Sequence, residues 1–534
     1  MNARSCIFIA LGLLTILRLW LAASIELSPD ESYYYLWSQR LDVCYFSKGP
    51  GVALAIRLGT ALLGASELGV RLLSPLLSLG TSLLVYSFTR RLFSENAALW
   101  ALVGSSFLPI LNVGSVLMTI DPLSIFFWTA ALYTFWLALE NALQREDQQL
   151  GSGWSLWWPL TGALIGMGFL CKWINALQLL SILLILLSSN RFRGHFKQPG
   201  FWVMLAVFCV FTVPPVAWNA QHQWVTFSHV SERGGLRSGF SLSLGEPLAF
   251  LGAHLGVYSP LLFLAMLATI QREFPRARNH FKPRFLLLFT LPILLLYLCL
   301  SLKKAGEANW TAPGMISLLI LAAAHWSERA PNSRAARRFL GVGLGFGLLL
   351  SVLIMNIDLL RMAGLPYPYR KDPSKRLRGW QAITEAVEGV RQKTEKALGA
   401  PVFLIANGRA LASSVAFYLK EPRTEGQGHP PVYTPESQAI TDQYSFWPRY
   451  DEFVELKPGQ RPRDPQYTEE TGVNPFHGRT ALYFTDGSEE TAQGAISSAF
   501  EKVEMVACFD IDRFGYPLKQ IRIFRCDNYR GRPL

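Results

Sequence analysis

Long apolar stretches recur along the first two thirds of the chain and are separated by short polar segments. A transmembrane helix needs about 20 largely apolar residues. Eleven stretches approach that length and predict spans at 6–25, 71–89, 97–117, 122–140, 156–171, 173–190, 201–219, 247–270, 285–302, 311–326 and 338–360. The segment 52–64 is too short to span, and it predicts an interfacial amphipathic helix or one arm of a re-entrant pair.

The pattern changes at residue 361, where a basic linker begins and runs to residue 379. Helical periodicity then predicts helices at 380–397 and 410–420. Short β-type runs predict strands at 401–406, 481–485, 503–509 and 520–526. The segment 421–478 is rich in Pro, Gly and charge, and is typical of an extended loop.

These patterns divide the chain into a membrane part and a soluble part. The predicted regions are a transmembrane domain at 1–360 with its first extracytoplasmic loop at 26–70, a linker at 361–379, and an α/β domain at 380–534. Composition agrees, because 51% of the 534 residues are hydrophobic and 16% are charged, whereas soluble proteins carry about 25% charged residues. The expected fold is a multispan α-helical membrane protein, with about 11–13 transmembrane helices by the span pattern, and a C-terminal soluble α/β domain.

The formal net charge of +12 is concentrated in four short loops between predicted spans. Lys and Arg accumulate in cytoplasmic loops of membrane proteins. Their positions therefore predict a cytoplasmic N-terminus and an extracytoplasmic C-terminal domain. A nucleic-acid partner is not indicated, since the sequence has no basic tail and no zinc-finger spacing.

The opposite membrane face collects a different set of charged side chains. Near apolar spans it holds the acids Asp30, Glu31 and Asp121 and the lysines Lys48, Lys172 and Lys303. Charges beside apolar spans are costly and often functional. Lys303 and its neighbour also run against the positive-inside pattern, so an anionic ligand such as a prenyl phosphate is expected beside them.

Each of these residues also has a purely structural interpretation. Asp30 and Glu31 follow "SP" and suit the first turn of a helix, as does Asp121 before a proline. Lys48 can snorkel from the interface, although its Gly-Pro-Gly setting would let the backbone approach a ligand. Lys172 can be a simple turn residue.

Other polar residues offer weaker signals. His222 and His229 are poor evidence for a metal site, and no metal is predicted. Cys508 and Cys526 lie in the soluble part and could form a disulfide if that part is extracytoplasmic.

Several motifs resemble those of one known family. The segment "SPDESYYYLWSQRLDVCYFSKGPG" at 28–51 is similar to the opening of GT-C polyprenyl-phosphate-sugar-dependent glycosyltransferases, which include bacterial protein mannosyltransferases and aminoarabinose lipid A transferases. The segments "MTIDPLSIFFW", "GFLCKW", "NWTAPG", "DPSKRLRGW", "LASSVAFYL" and "DQYSFW" follow in the order of that family.

The resemblance implies a role for each candidate residue. The catalytic acid of the family falls on Asp30 with Glu31 beside it, and the second acid falls on Asp121. Lys48, preceded by the aromatic Tyr45, would contact the lipid phosphate, and the later family lysine falls on Lys172. The sequence departs from the family at "KGPG", where members often carry a second proline or a histidine.

The expected function is transfer of a sugar from a polyprenyl-phosphate donor to a lipid, glycan or protein acceptor, with inversion. The enzyme would lie in a bacterial inner membrane and act on the extracytoplasmic face. No cofactor is predicted, and nothing in the sequence indicates a divalent metal. A lipid-linked sugar flippase and a surface-polysaccharide ligase or polymerase remain alternatives at this point.

Overall fold

The computed structural model describes residues 3–147, 155–233, 245–426, 428–435, 437, 439–451, 474–487 and 490–530. The helices are α1 Ala3–Ser24, α2 Pro29–Ser38, α3 Gly51–Leu63, α4 Glu67–Arg71, α5 Leu73–Leu92, α6 Glu95–Phe107, α7 Pro109–Gly114, α8 Ile120–Asp147, α9 Trp157–Cys171, α10 Leu177–Leu187, α11 Asn190–Arg193, α12 Pro199–Gln221, α13 Val225–Arg233, α14 Gly245–Tyr258, α15 Pro260–Arg276, α16 Phe281–Ser301, α17 Ala312–Arg329, α18 Arg334–Met355, α19 Asp358–Met362, α20 Trp380–Leu398, α21 Arg409–Tyr418 and α22 Gly494–Ala499. The strands are β1 Phe403–Ala406, β2 Ala481–Thr485, β3 Phe500–Arg513 and β4 Tyr516–Tyr529.

The chain forms two compact units. The helical unit comprises Met1–Ser24 and Leu41–Asn356, and the α/β unit comprises Ile25–Arg40 and Ile357–Leu534. The predicted regions assigned all of 26–70 to the membrane domain and treated 361–379 as a separate linker, whereas the linker groups with the α/β unit. Residues 25–40, with the predicted acid pair, belong to the α/β unit.

The helical unit contains long apolar helices, as the sequence predicts. Among the described residues, six helices are long and apolar enough to cross a membrane, and two bent helix pairs bring the number to eight. The expected number of 11–13 is higher because several predicted spans are interrupted. Residues 97–117 form α6 and α7, which break at Pro109, and 247–270 form α14 and α15, which bend by 112° at the break before Pro260.

Aromatic side chains fill the centre of the helical unit. Phe135 of α8 contacts Trp158 of α9 at 5.9 Å between ring centroids, and it stacks on Phe285 of α16 at 5.9 Å. These three side chains are fully buried. Burial of such rings stabilises a fold through their large contact area. The packing of α8, α9 and α16 therefore forms the centre of the helical unit.

The α/β unit is built on a four-stranded sheet with the order β1-β2-β4-β3. β1 and β2 are parallel, and the β2–β4 and β3–β4 pairs are antiparallel. All four strands and the helices α20 and α21 confirm the predicted elements. The predicted loop at 421–478 carries a 3-10 turn at Gln443–Phe446, and its residues 452–473 lie outside the described part.

The disulfide considered for the soluble part is not formed. Cys526 of β4 is opposite Val503 of β3, whereas Cys508 is opposite Arg522, and both thiols are free. The two cysteines are therefore separated along the ladder, too far for the short Cβ–Cβ distance that a disulfide needs.

The α2 helix packs against α21 within the α/β unit. The hydroxyl of Tyr418 accepts a hydrogen bond from the Leu27 N–H at 2.7 Å. Tyr35 contacts Phe417 edge-on at 4.9 Å between ring centroids. The "SYYYLW" run is thus the apolar surface of a docked helix, and these contacts explain why residues 25–40 cluster with the C-terminal sequence.

A buried carboxylate joins the start of the α/β unit's C-terminal part to its β-hairpin. Asp358 is 2% exposed and accepts from Arg361 at 2.5 Å and from the Tyr369 hydroxyl at 2.6 Å. Its second oxygen faces Arg378 at 3.0 Å and Arg513 at 2.9 Å. A carboxylate has about four acceptor positions, so Asp358 is fully engaged.

We predict that Asp358→Asn destabilises the α/β unit by about 3 kcal/mol, because it removes the counter-charge of the largely buried Arg378 and one of the two carboxylates that face the buried Arg361. The purified full-length protein is heated, and the protease resistance of its α/β unit at each temperature reports the change in stability. Glu504→Gln is the matched control. Glu504 pairs with Lys502 on an exposed strand, and loss of such a solvent-exposed pair should have little effect on stability.

The effect of Asp358→Asn should depend on pH. Burial by itself raises the pKa of Asp358, but hydrogen bonds from Tyr369, Arg513 and Arg361 and the charge of Arg378 hold the pKa below its ordinary value. Such a group stabilises the fold above its unfolded pKa of about 3.9 and loses that contribution as the pH falls through its folded pKa. The difference between wild type and variant should therefore shrink below about pH 4. A difference that is constant from pH 3 to pH 7 would contradict this account.

Candidate active site

The two predicted acids at the start of α2, Asp30 and Glu31, have different contacts. Ser28 is the N-cap, and its hydroxyl accepts from the Glu31 N–H at 3.3 Å. The Glu31 carboxylate accepts in return from the Ser28 N–H at 2.9 Å. This is a capping box, and Glu31 is completely buried. The geometry gives Glu31 a structural task, and of the two acids it is Asp30 whose carboxylate is partly exposed.

Asp30 lies between two arginines that the sequence did not single out. Its carboxylate accepts from Arg376 at 3.1 Å, and its other oxygen is 3.9 Å from a guanidinium nitrogen of Arg409. The Asp30 side chain is 38% exposed, so water or a ligand can reach it. Asp30 thus lies between two guanidinium groups, and the Asp442 carboxylate also interacts with Arg409.

Aromatic side chains hold Arg409 in position. Its guanidinium lies 4.8 Å from the ring centroid of Tyr33, a cation–π contact. The Tyr33 hydroxyl accepts from the Gln443 N–H at 2.5 Å, and the ring stacks on Tyr444 at 6.2 Å. Burial raises the pKa of Tyr33 and the nearby Asp442 charge raises it further, so the phenol stays neutral. The "DQYSFW" segment therefore supports the arginine beside Asp30.

A second polar cluster forms in the helical unit from three segments distant in sequence. The Lys172 ammonium donates to Asp121 at 2.7 Å and to the Asn309 carbonyl at 3.2 Å. The Asn309 side-chain amide donates to the other oxygen of Asp121 at 2.8 Å. Lys172 and Asp121 are 11% and 17% exposed. The ion pair with Asp121 offsets the energetic cost of placing the Lys172 ammonium beside apolar helices.

The backbone around Lys172 is shaped by a polar contact with α8. Lys172 adopts an extended conformation between α9 and a 3-10 turn, Trp173–Ala176. The Asn175 side chain in that turn donates to the Ser124 carbonyl at 3.0 Å, and the Ser124 hydroxyl donates to Asn175 at 2.5 Å. Both residues are fully buried. This exchange fixes the break in the helix at the position that brings Lys172 to Asp121.

The Lys48 turn packs on the same end of α9. A Cβ atom at Gly49 would lie 2.3 Å from the Leu170 carbonyl oxygen, and one at Gly51 would lie 2.4 Å from the Cys171 sulfur. The Gly-Pro-Gly setting predicts close approach of the backbone to a ligand. In the structure both glycines allow close approach to the end of α9, directly before Lys172. Lys48 and Lys172 therefore extend from neighbouring backbone segments.

Tyr45 supports the Lys48 turn. Its N–H donates to the Lys48 carbonyl at 2.9 Å, and its hydroxyl accepts from the Asp42 N–H at 3.1 Å. Tyr45 is fully buried, and burial raises the pKa of its hydroxyl to about 12. These contacts give Tyr45 a supporting role in the turn.

The remaining predicted residues have other contacts. Lys303 is in the turn that follows α16, where its N–H donates to the Leu300 carbonyl at 3.0 Å. His222 stacks on Trp218 at 3.9 Å, and His229 contacts Phe46 at 4.8 Å. Within the described ranges, no group of three or more His, Cys, Asp or Glu side chains could hold a metal ion.

Sequence comparison identifies relatives over most of the chain. Residues 47–218 match the family model described as dolichyl-phosphate-mannose-protein mannosyltransferase. The lipid A galacturonosyltransferase RgtD of Rhizobium johnstonii is 28% identical over 60% of this chain and 65% of its own length. The undecaprenyl phosphate-alpha-4-amino-4-deoxy-L-arabinose arabinosyl transferase of Pectobacterium carotovorum is 25% identical over 78% of this chain and 77% of its own. The chain thus spans just under two thirds of the first relative and about three quarters of the second.

Structural comparison finds the same fold. ArnT from Cupriavidus metallidurans, solved with bound undecaprenyl phosphate, has a TM-score of 0.62 at 14% identity, and the alignment covers 98% of both chains. The same protein in its apo state has a TM-score of 0.61 at 15% identity, again over 98% of both chains. Together with the apolar helices, this fold makes the chain a multi-pass membrane protein. The chain is similar to GT-C glycosyltransferases in this fold and in the segment that matches the family model.

Proposed function

We propose that this protein transfers a sugar from a polyprenyl-phosphate donor to an acceptor that carries phosphate. The observation that carries the proposal is the Asp121–Lys172–Asn309 cluster, because it presents an ordered ammonium at the end of an apolar bundle. Membrane-bound donors need a cation at this kind of position, with the prenyl tail in lipid and the phosphate at the boundary. The relatives whose names mention undecaprenyl phosphate support this donor class.

The helical unit is assigned to the donor. Cleavage of the bond between the sugar and the phosphate leaves a phosphate monoester, and preorganised cations stabilise the charge that develops on it. Lys172 has three N–H donors. The hydrogen bonds found among the described residues use one for Asp121 and one for the Asn309 carbonyl, so the third is directed to the leaving phosphate. Lys48, on the adjoining turn, adds a second positive charge.

The α/β unit is assigned to the acceptor. Arg376 and Arg409 offer planar donors that suit a phosphate group, and both lie beside Asp30. An ionised phosphate acceptor needs no base, and Asp30 then orients it through the two arginines. With a hydroxyl acceptor, Asp30 would instead take the proton as a general base. In both cases the acceptor oxygen bonds to the anomeric carbon as the donor phosphate leaves from the opposite face, so the configuration inverts.

The cellular placement follows from the cationic loops. Arg276, Arg278, Lys282 and Arg284 lie at the junction of α15 and α16, and such loops face the cytoplasm. We place the protein in a bacterial inner membrane with Asp121, Lys172 and the α/β unit on the extracytoplasmic side. A flippase is less favoured, because transporter charges lie near the bilayer midplane, whereas Asp121 and Lys172 lie at helix ends.

With a hydroxyl acceptor, Asp30→Asn should lower kcat for transfer by about 100-fold or more, the usual contribution of a positioned acid–base group. A transfer assay with a labelled polyprenyl-phosphate sugar, read by mass of the product, measures it. Asp510→Asn, at an exposed position on β3, is the control and should keep full activity. Wild-type turnover in Asp30→Asn would refute the assignment of Asp30.

Lys172→Gln and Lys48→Ala should each weaken donor binding about tenfold or more, because a hydrogen bond to a charged group contributes about 1.5–3 kcal/mol. The apparent KM for the lipid donor reports this loss. Lys197→Gln, which changes an exposed lysine outside both predicted sites, should leave the KM unchanged. Unaltered donor KM in both site variants would favour the structural interpretation of these lysines.

Arg376→Gln and Arg409→Gln should raise the KM for a phosphate-bearing acceptor about tenfold each while leaving the donor KM unchanged. The control is Arg370→Gln, an exposed arginine in the same unit. The same variants should have little effect on an acceptor that offers only hydroxyl groups. Equal losses with both acceptor types would show that the arginines support the fold rather than recognise phosphate.

A further inference from the structure

A cavity in the helical unit lies at the end of the bundle opposite to Asp121. It has a volume of about 670 Å³ and lies among the end of α15, the start of α16 and the end of α17. His325 in its wall is 13 residues beyond Ala312, which corresponds to about 20 Å along α17. The cavity is therefore separate from the Asp121–Lys172–Asn309 cluster, and its size is in the range of ligand pockets.

A buried charged network forms the inner wall of this cavity. Glu273 is 5% exposed and accepts from the His325 Nδ1–H at 2.6 Å and from Arg276 at 3.1 Å. Arg329 donates to the other ring nitrogen of His325. A guanidinium only donates, so that nitrogen carries a lone pair and His325 is a neutral relay between Arg329 and Glu273. The wall is thus ordered without a ligand.

Aromatic rings and charged side chains of both signs form the remainder of the lining. Trp136 stacks on Phe281 at 5.6 Å between ring centroids. Lys282 donates to the Leu92 carbonyl and lies 5.7 Å from the Phe93 ring. The other ionisable lining residue, Glu328, is exposed at the mouth, as are Arg276 and His280. The described lining therefore contains two acids, two bases and two histidines.

Because the lining carries both acidic and basic side chains, it favours some classes of ligand over others. A purely anionic group would meet Glu328 and Glu273, and a purely cationic group would meet Arg276 and Lys282. A headgroup that carries both a phosphate and an ammonium satisfies both sets, and aromatic faces also attract an ammonium. Pockets with basic side chains between transmembrane helices are known sites for lipid headgroups.

We propose that this cavity binds the headgroup of a zwitterionic phospholipid, with phosphate at Arg276, His280 and Lys282 and ammonium at Glu328. The lipid comes from the leaflet that faces the cationic loops. Phe274, adjacent to Glu273 and 51% exposed, offers an apolar surface for an acyl chain. Binding ties the ends of α15, α16 and α17 together at the side of the bundle away from the donor.

The test uses the purified, delipidated full-length protein and native mass spectrometry. Short-chain phosphatidylethanolamine, short-chain phosphatidylglycerol, O-phosphoethanolamine and inorganic phosphate are added separately. We expect one phosphatidylethanolamine per chain, bound about tenfold more tightly than phosphatidylglycerol, which is the difference one charged hydrogen bond supplies. O-phosphoethanolamine should compete with the bound lipid, and inorganic phosphate should not.

Glu328→Gln should abolish the preference for phosphatidylethanolamine, whereas Arg276→Gln should weaken both lipids about tenfold. Arg338→Gln, an exposed arginine at the start of α18, should behave like wild type. Equal retention of the two lipids by wild type would overturn the proposal. So would displacement by inorganic phosphate alone, or wild-type selectivity in Glu328→Gln. Lipid retention is independent of sugar transfer, so the result does not depend on the proposed function.

Discussion

The ion pair between Lys172 and Asp121 is the interaction on which the helical unit's site depends. An ammonium beside apolar helices is tolerated only with a counter-charge and satisfied hydrogen bonds, and Asp121 and Asn309 supply both. Other features follow from it. The helix must break after α9 to aim Lys172, Asn175 must hold the broken backbone, and small residues must let the Lys48 turn lie against that end.

Asp30 follows the same principle in the α/β unit, with the signs reversed. Here a carboxylate is the central group and arginines are its partners, and the aromatic support of Arg409 by Tyr33 fixes one of them. Glu31, its neighbour, is used for the helix cap. Glu31 thus stabilises the start of α2, and Asp30 extends from the same ordered helical turn.

Much of the fold could be predicted because its signals are local. Apolar length and periodicity identify the long apolar helices and all four strands, although several predicted spans are interrupted. The acid, lysine and glycine motifs locate the candidate residues. Asn309, Arg376 and Arg409 were not singled out, because their importance depends on contacts between residues far apart in the chain. The sequence indicates close backbone approach at Gly49 and Gly51, but it does not show that the end of α9 is one of the groups approached.

The assignment of α2 to the α/β unit has a consequence for biosynthesis. The segment Ile25–Arg40 leaves the ribosome early, but its partners in Ile357–Leu534 appear only after the whole of Leu41–Asn356 has been made. Domains otherwise tend to fold in order of synthesis. The apolar face of α2 must therefore remain without its final partner throughout membrane insertion, and completion of the α/β unit is a late, long-range step whose rate is limited by chain closure.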